Sequence, residues 1–170
     1  GKAAIKKIGL YDQVINILQA EGKHVVELAG INANPRYTQL LEGARLVREH
    51  NIDLILAVGG GSVIDCAKGI ACAAYAEGDV WQRYYVNQEP VTNRVIPVGS
   101  ILTMAGTGSE MNSGSVITNE AENLKIGRVY PLALVTPRFS ILNPEYTYSV
   151  PKYQMISGIF DVFSHLMEQY

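Results

Sequence analysis

The sequence predicts an α/β fold, a parallel sheet with helices on both faces. Three observations carry this. Short apolar runs alternate with helix-period segments along most of the chain. One run, Asp53 to Val58 (DLILAV), is apolar almost throughout, as a strand buried on both faces should be. That run leads into Gly59-Gly60-Gly61, and a helical pattern starts at once behind the glycines.

Taken in order, Tyr11 to Glu21 reads as a helix, with Val14, Ile17 and Leu18 at helical spacing and Gly22 as its stop. His24 to Ala29 (HVVELA) reads as a short strand ending at Gly30. Asn32, Asn34 and Pro35 bring turn chemistry. Tyr37 to His50 is a second helix, facing a core with Leu40, Leu41, Ala44, Leu46 and Val47. Asp53 to Val58 is the buried strand, the glycines break it, and Ser62 to Ala76 is a helix. Gly78 to Asn93 is polar and aromatic and reads as a surface loop; Arg94 to Val98 reads as a strand. Leu132 to Val135 is strand-like, with Ser140 to Leu142 continuing it. A turn at Asn143-Pro144 precedes a last helix from Tyr153 to Tyr170. Pro151 marks the best break: α/β pattern before it, a lone helix after it. A sheet-edge strand is expected before Gly1 and a helical partner domain after Tyr170.

Composition narrows the class. Hydrophobic residues make up 48% and charged residues 18%, which is globular. The net charge of −2 lacks the basic excess of a nucleic-acid binder. No apolar run approaches the ~20 residues that span a bilayer. Cys66 and Cys72, six apart, fit neither a disulfide framework nor a zinc spacing; they read as small buried residues in a reducing cytoplasm.

Three motifs suggest chemistry. Glycine N–H groups ahead of a helix N-terminus can approach an anion closely, so Gly59 to Ser62 is a place for a pyrophosphate. Position 64 is Ile, which excludes the G-x-G-x-x-G fingerprint, and no Gly-Lys-Ser/Thr follows to make a P-loop. Ser62 with Asp65 also reads as a capping box, which needs no ligand. Second, Thr103-Met-Ala-Gly106-Thr107-Gly108-Ser109-Glu110 lies where α/β proteins bind ligands, although such hydroxyls can equally bond their own backbone. Met111 denies it the G-x-S-x-G of a serine hydrolase. Third, Asp161 and His165 are four apart on the last helix, about 40° apart around its axis. Gly158 shares their face, while Ile156, Ile159, Phe160, Phe163 and Met167 stripe the other. Such a pair can hold a divalent metal or make a weak hydrogen bond on a solvated face. His24 and His50 read as surface histidines.

In combination, Ala57-Val-Gly-Gly-Gly-Ser-Val-Ile-Asp65 with Lys68, Thr107-Gly-Ser-Glu-Met-Asn112, Leu142-Asn-Pro-Glu-Tyr146-Thr and Asp161-x-x-x-His165 resemble the iron-containing (group III) alcohol dehydrogenase superfamily, in particular its butanol dehydrogenase-like branch. The resemblance spans essentially the whole chain. It implies a Rossmann-like nucleotide domain over residues 1–150, with its N-terminal edge cut, and the start of an all-helical metal-binding domain over 151–170, the remainder absent. It implies an NAD- or NADP-dependent, metal-dependent alcohol dehydrogenase or aldehyde reductase for small primary alcohols such as butanol, using Fe2+, with Zn2+ as the alternative. Gly59, Gly60, Gly61, Ser62, Asp65, Thr103, Met104, Thr107, Ser109, Lys125 and Tyr146 would line the cofactor site. Asp161 and His165 would act catalytically through the metal, as two of its ligands; two further histidines belong downstream. The implied setting is cytoplasmic, with no membrane or nucleic-acid partner and a homodimer left open. Lys2 tilts the cofactor choice toward NADPH. The 170-residue chain by itself is expected to be inactive. Two alternatives stand beside this reading: a nucleotide-binding fragment without catalysis, because the C-terminal metal ligands are missing, and a related polyol dehydrogenase.

Overall fold

The structure, a computed structural model, describes residues 4–170. Helices α1 (Ala4–Lys7), α2 (Leu10–Ala20) and α3 (Tyr37–Glu49) precede strand β1 (Ile55–Gly60) and helix α4 (Gly61–Ala73). A π-helix (Trp81–Val86), strand β2 (Val98–Met104), strands β3 (Gly114–Asn119) and β4 (Leu124–Val129) and helix α5 (Leu132–Val135) follow. Strand β5 (Ser140–Ile141), a 3-10 turn (Pro144–Thr147) and helix α6 (Lys152–Met167) complete the described chain.

The α/β class is as expected. A parallel sheet runs β1-β2-β5, and β3 pairs with β4 as a separate antiparallel hairpin. Helix α4 lies between them, packing on β1, β2 and β3, and α3 packs against α4. That position explains why every residue of α4 from Ile64 to Ala73 is buried. Cys66 and Cys72 are among them as free thiols, and burial pushes both up to about 12. Among the described residues no helix is long and apolar enough to cross a membrane.

Several elements differ from the sequence reading. His24 to Ala29 is not in a ladder; its apolar Val25, Val26 and Leu28 are only half-buried, and β1 forms its ladder with β2. Arg94 to Pro97 is not strand either: the ladder starts at Val98, directly behind a proline that cannot donate. Gly59 and Gly60 do not break β1 but belong to it. Leu132 to Val135 is a four-residue helix set off by Pro131, not a strand. The supposed surface loop holds the π-helix, whose Trp81, Tyr84 and Tyr85 are about 1% exposed and sit in the core. Arg128 of β4 fastens that helix by donating to the Tyr84 and Glu89 carbonyls, with its guanidinium over the Tyr84 and Tyr130 rings.

Candidate functional site

The site is built where β1 becomes α4. A β-bulge separates the two strand glycines: Gly59 lies opposite Leu102 and Gly60 opposite Met104. The bulge turns the end of the strand, and Gly60, extended at φ −89° and ψ −172°, precedes the helix without any side chain capping it. Among the described residues no side chain accepts from the first N–H groups of α4, and the positive end of the helix dipole is added at the same spot.

The Ser62–Asp65 capping box does not form. The helix starts one residue early, at Gly61, so Ser62 is inside the first turn. Asp65 is needed elsewhere: its Oδ2 accepts the Val116 N–H at 3.1 Å and its carbonyl accepts the Ser115 hydroxyl at 2.8 Å, both from β3. Its Oδ1 is buried with no hydrogen-bond partner among the described residues. Burial raises the Asp65 carboxyl above its ordinary value; the Ser109 hydroxyl, the Val116 N–H and the charges of Lys68 and Lys125 act against that.

The segment after β2 folds over this turn. A Cβ on Gly61 would lie 2.2 Å from Thr107 Oγ1, so only glycine lets the loop come this close. The Thr107 and Ser109 hydroxyls are 2.9 Å apart, and Ser109 is buried. Thr103 and Met104 are half-buried at the end of β2. Gly59, Gly60, Gly61, Ser62, Asp65, Met104, Thr107 and Ser109 are thus gathered at one corner of the molecule. Lys125 is exposed on β4 and donates to Asn34 Oδ1 at 2.7 Å. Tyr146 is half-buried on the 3-10 turn, which packs against β2. Lys2 lies outside the described residues.

Helix α6 meets the same loop. Gly158 is buried, and a Cβ there would be 2.9 Å from the Ala105 carbonyl oxygen. A Cβ on Gly106 (φ +153°) would be 3.1 Å from Asp161 Oδ2, so Asp161 faces the loop that Thr107 shares. Asp161 Oδ1 is 3.7 Å from His165 Nε2, and His165 Nδ1 is 3.9 Å from Glu168 Oε2. The pair is half-exposed. One carboxylate oxygen and one imidazole nitrogen suit Fe2+ or Zn2+, but no group of three or more His, Cys, Asp or Glu is close enough to hold a metal among the described residues. The apolar stripe of α6 is exposed, Phe160 at 67% and Ile159 at 61%.

Sequence reasoning gave no role to one residue at the corner. Lys68 is 0% exposed in α4, and its Nζ donates to Asn112 Oδ1 (3.0 Å) and the Gly114 carbonyl (2.9 Å). Burial pushes its ammonium down to about 8, with Asp65 and Glu110 acting against the fall. The signal was present: Lys68 is the one charged residue after Asp65 in an otherwise apolar helical run.

The profile of the family described as iron-containing alcohol dehydrogenase matches residues 1–144. The chain is 50% identical over 170 residues to the "Probable NADH-dependent butanol dehydrogenase 1" of Bacillus subtilis, covering 100% of this chain and 43% of that protein. It is 41% identical over 172 residues to an NADPH-dependent aldehyde reductase of Escherichia coli, again 100% of this chain and 43% of the relative. The crystal structure of NADH-dependent butanol dehydrogenase A from Thermotoga maritima superposes with a TM-score of 0.91 at 38% identity, covering 99% of this chain and 41% of that one. The chain spans less than half the length of these relatives.

Proposed function

Because the chain belongs to the iron-containing alcohol dehydrogenase family, we propose that it forms the nucleotide-binding part of an NAD(P)-dependent, metal-dependent alcohol dehydrogenase or aldehyde reductase acting on small primary alcohols such as butanol. The observation that carries this is the uncapped start of α4 behind the Gly59–Gly60 bulge, with the Thr107 loop closed over it. In this reading residues 1–150 hold the dinucleotide and residues 151–170 begin the helical part. The setting is cytoplasmic, in keeping with two buried free thiols.

The chain's own groups divide the work. Gly59, Gly60, Gly61 and Ser62 present backbone N–H groups to the pyrophosphate. Asp65 stands on the nicotinamide-ribose side of the turn, held there by its bonds to Val116 and Ser115 of β3. Thr103, Met104, Thr107, Ser109, Lys125 and Tyr146 line the rest of the cleft. Asp161 and His165 would be two ligands of Fe2+ or Zn2+. A divalent metal there supplies Lewis acidity toward an alcohol or carbonyl oxygen, and the nicotinamide supplies hydride chemistry. The Ala105–Gly106 segment, touching α6 on one side and continuing into Thr107 on the other, brings the two halves of the site together. The relatives' names carry both cofactors, NADH for the Bacillus subtilis protein at 50% identity and NADPH for the Escherichia coli protein at 41%, which weighs against the tilt that Lys2 gave.

The test is a fluorescence titration of this chain with NADH and NADPH. Saturable binding that Gly60→Val weakens at least about ten-fold is the expected result; no binding of either nucleotide overturns the assignment. One observation favours a second reading, a nucleotide-binding unit without catalysis of its own: Asp161 and His165 supply two ligands where a catalytic site needs at least three. Turnover of butanol by the chain with added Fe2+ or Zn2+ would exclude the second reading.

A further inference from the structure

Lys68 is the most expensively placed residue at the corner. An ammonium fully out of water costs more than a hydrocarbon of the same size, and lysine is rarely buried without partners. Its two acceptors are both neutral, Asn112 Oδ1 and the Gly114 carbonyl. Core packing alone would be served better by Leu or Met. What the charge does gain is a grip on Asn112. The Asn112 Oδ1 that accepts from Lys68 also accepts the Gly114 N–H at 2.9 Å, while its Nδ2 donates to the Thr107 carbonyl at 3.4 Å. The amide is thereby oriented, oxygen inward and nitrogen toward the loop. Thr107 is the residue that presses on Gly61. A further tie on the loop runs from the Ser140 hydroxyl to the Glu110 carbonyl at 2.8 Å and leaves Thr107 untouched.

We infer that Lys68 is a positioning residue for the nucleotide site: from inside α4 it acts through Asn112 to hold the Thr107–Asn112 loop over the glycine turn. This rests on the proposed nucleotide reading only for its consequence on affinity; its effect on the loop stands by itself.

The experiment is hydrogen exchange on the unliganded chain, together with NADH and NADPH titrations. The variants are Lys68→Met, Lys68→Arg, Asn112→Ala and the double variant Lys68→Met/Asn112→Ala. In Lys68→Met the amides of residues 107–112 should exchange about ten-fold faster, a change of about one decade in opening equilibrium, while those of 64–73 keep their protection. Asn112→Ala should do the same, and the double variant should be no worse than either single one. Lys68→Arg, which keeps donors on a long stem, should recover at least half of the lost protection. Nucleotide affinity should fall in step with loop protection. Unchanged loop exchange in Asn112→Ala overturns the inference even if Lys68→Met fails to fold. So does strict additivity in the double variant, or a Lys68→Arg protein as loose as Lys68→Met. If the wild-type chain binds neither nucleotide, the proposed function falls, and the exchange data still decide what Lys68 does.

Discussion

Replacing Gly61 with Ala puts a methyl carbon 2.2 Å from Thr107 Oγ1, 3.0 Å from its Cγ2 and 3.1 Å from its Cβ. Ordinary contact begins near 3.4 Å, so Thr107 must retreat by about 1 Å or rotate away. Overpacking of this kind costs about 1–3 kcal/mol. Rotation also gives up the 2.9 Å bond between the Thr107 and Ser109 hydroxyls, worth about 1 kcal/mol. Against this, Ala is favoured over Gly within a helix by up to about 1 kcal/mol, and by less in the first turn. Loss wins, by about 1–3 kcal/mol, equivalent to a fall in Tm of about 3–9 °C for a chain of this size. Thermal unfolding reads the stability, and an NADH titration reads the displaced loop. Thr107→Ala removes two of the three clashing atoms, so Gly61→Ala/Thr107→Ala should be more stable than the sum of the two single changes predicts, by about 1 kcal/mol. A Gly61→Ala protein with unchanged Tm and unchanged nucleotide affinity, or a strictly additive pair, would refute the close approach of loop and helix.

Gly60→Val should keep the fold, because its Cβ meets Met104 Cβ at an ordinary 3.4 Å on an extended backbone, yet weaken NADH and NADPH binding at least about ten-fold; fluorescence titration checks it. Two ligands on one half-exposed helix face should not retain metal, so the chain dialysed after loading with Fe2+ or Zn2+ should carry far less than one equivalent by elemental analysis. Stoichiometric metal would show that other residues complete the set. Lys68, lowered to about 8 when folded, loses its proton in the native state before it does in the unfolded chain, so its contribution makes stability rise as pH climbs from about 8 toward 10.5. Cys66 and Cys72, raised to about 12, work in the opposite direction from about pH 9. Urea midpoints at pH 7.5 and 9.5 should therefore change more favourably with pH in wild type than in Lys68→Met, and equal slopes would contradict the buried-ammonium account.

What could be read in advance is what local physics decides. The run DLILAV and the glycines behind it announced a strand feeding a helix, since both signals lie within a few residues, but the strand starts only at Ile55 and is part-buried rather than buried on both faces, with Leu54 41% exposed ahead of it. The helix at Tyr37–Glu49 and the one at Lys152–Met167 follow from their apolar spacing. Elements that depend on distant partners were not legible. Trp81, Tyr84 and Tyr85 enter the core on a π-helix, whose wider turn escapes a search at 3.6 residues per turn, and interleaved Gln82 and Arg83 disguise them as surface. The hairpin β3–β4 is needed to cover α4, and only its presence explains why Asp65 serves Val116 rather than Ser62. Lys68 is the sharpest case: spacing shows a charge in an apolar helix, but its acceptors lie 44 and 46 residues away.

Gly158 carries a consequence for how such an enzyme could be retuned. With the Ala105 oxygen 2.9 Å from where a side chain would begin, helix and loop are in backbone-to-backbone register. In the proposed reading, the gap between the hydride carrier and the donor pair on α6 is therefore ruled by main-chain geometry rather than by any replaceable side chain. A change in that gap would have to proceed by loop insertions or deletions around residues 104–106. Point changes in the lining would alter which alcohol fits and leave the transfer distance where it is. A randomised library at position 158 should return glycine almost exclusively, whatever alcohol is supplied.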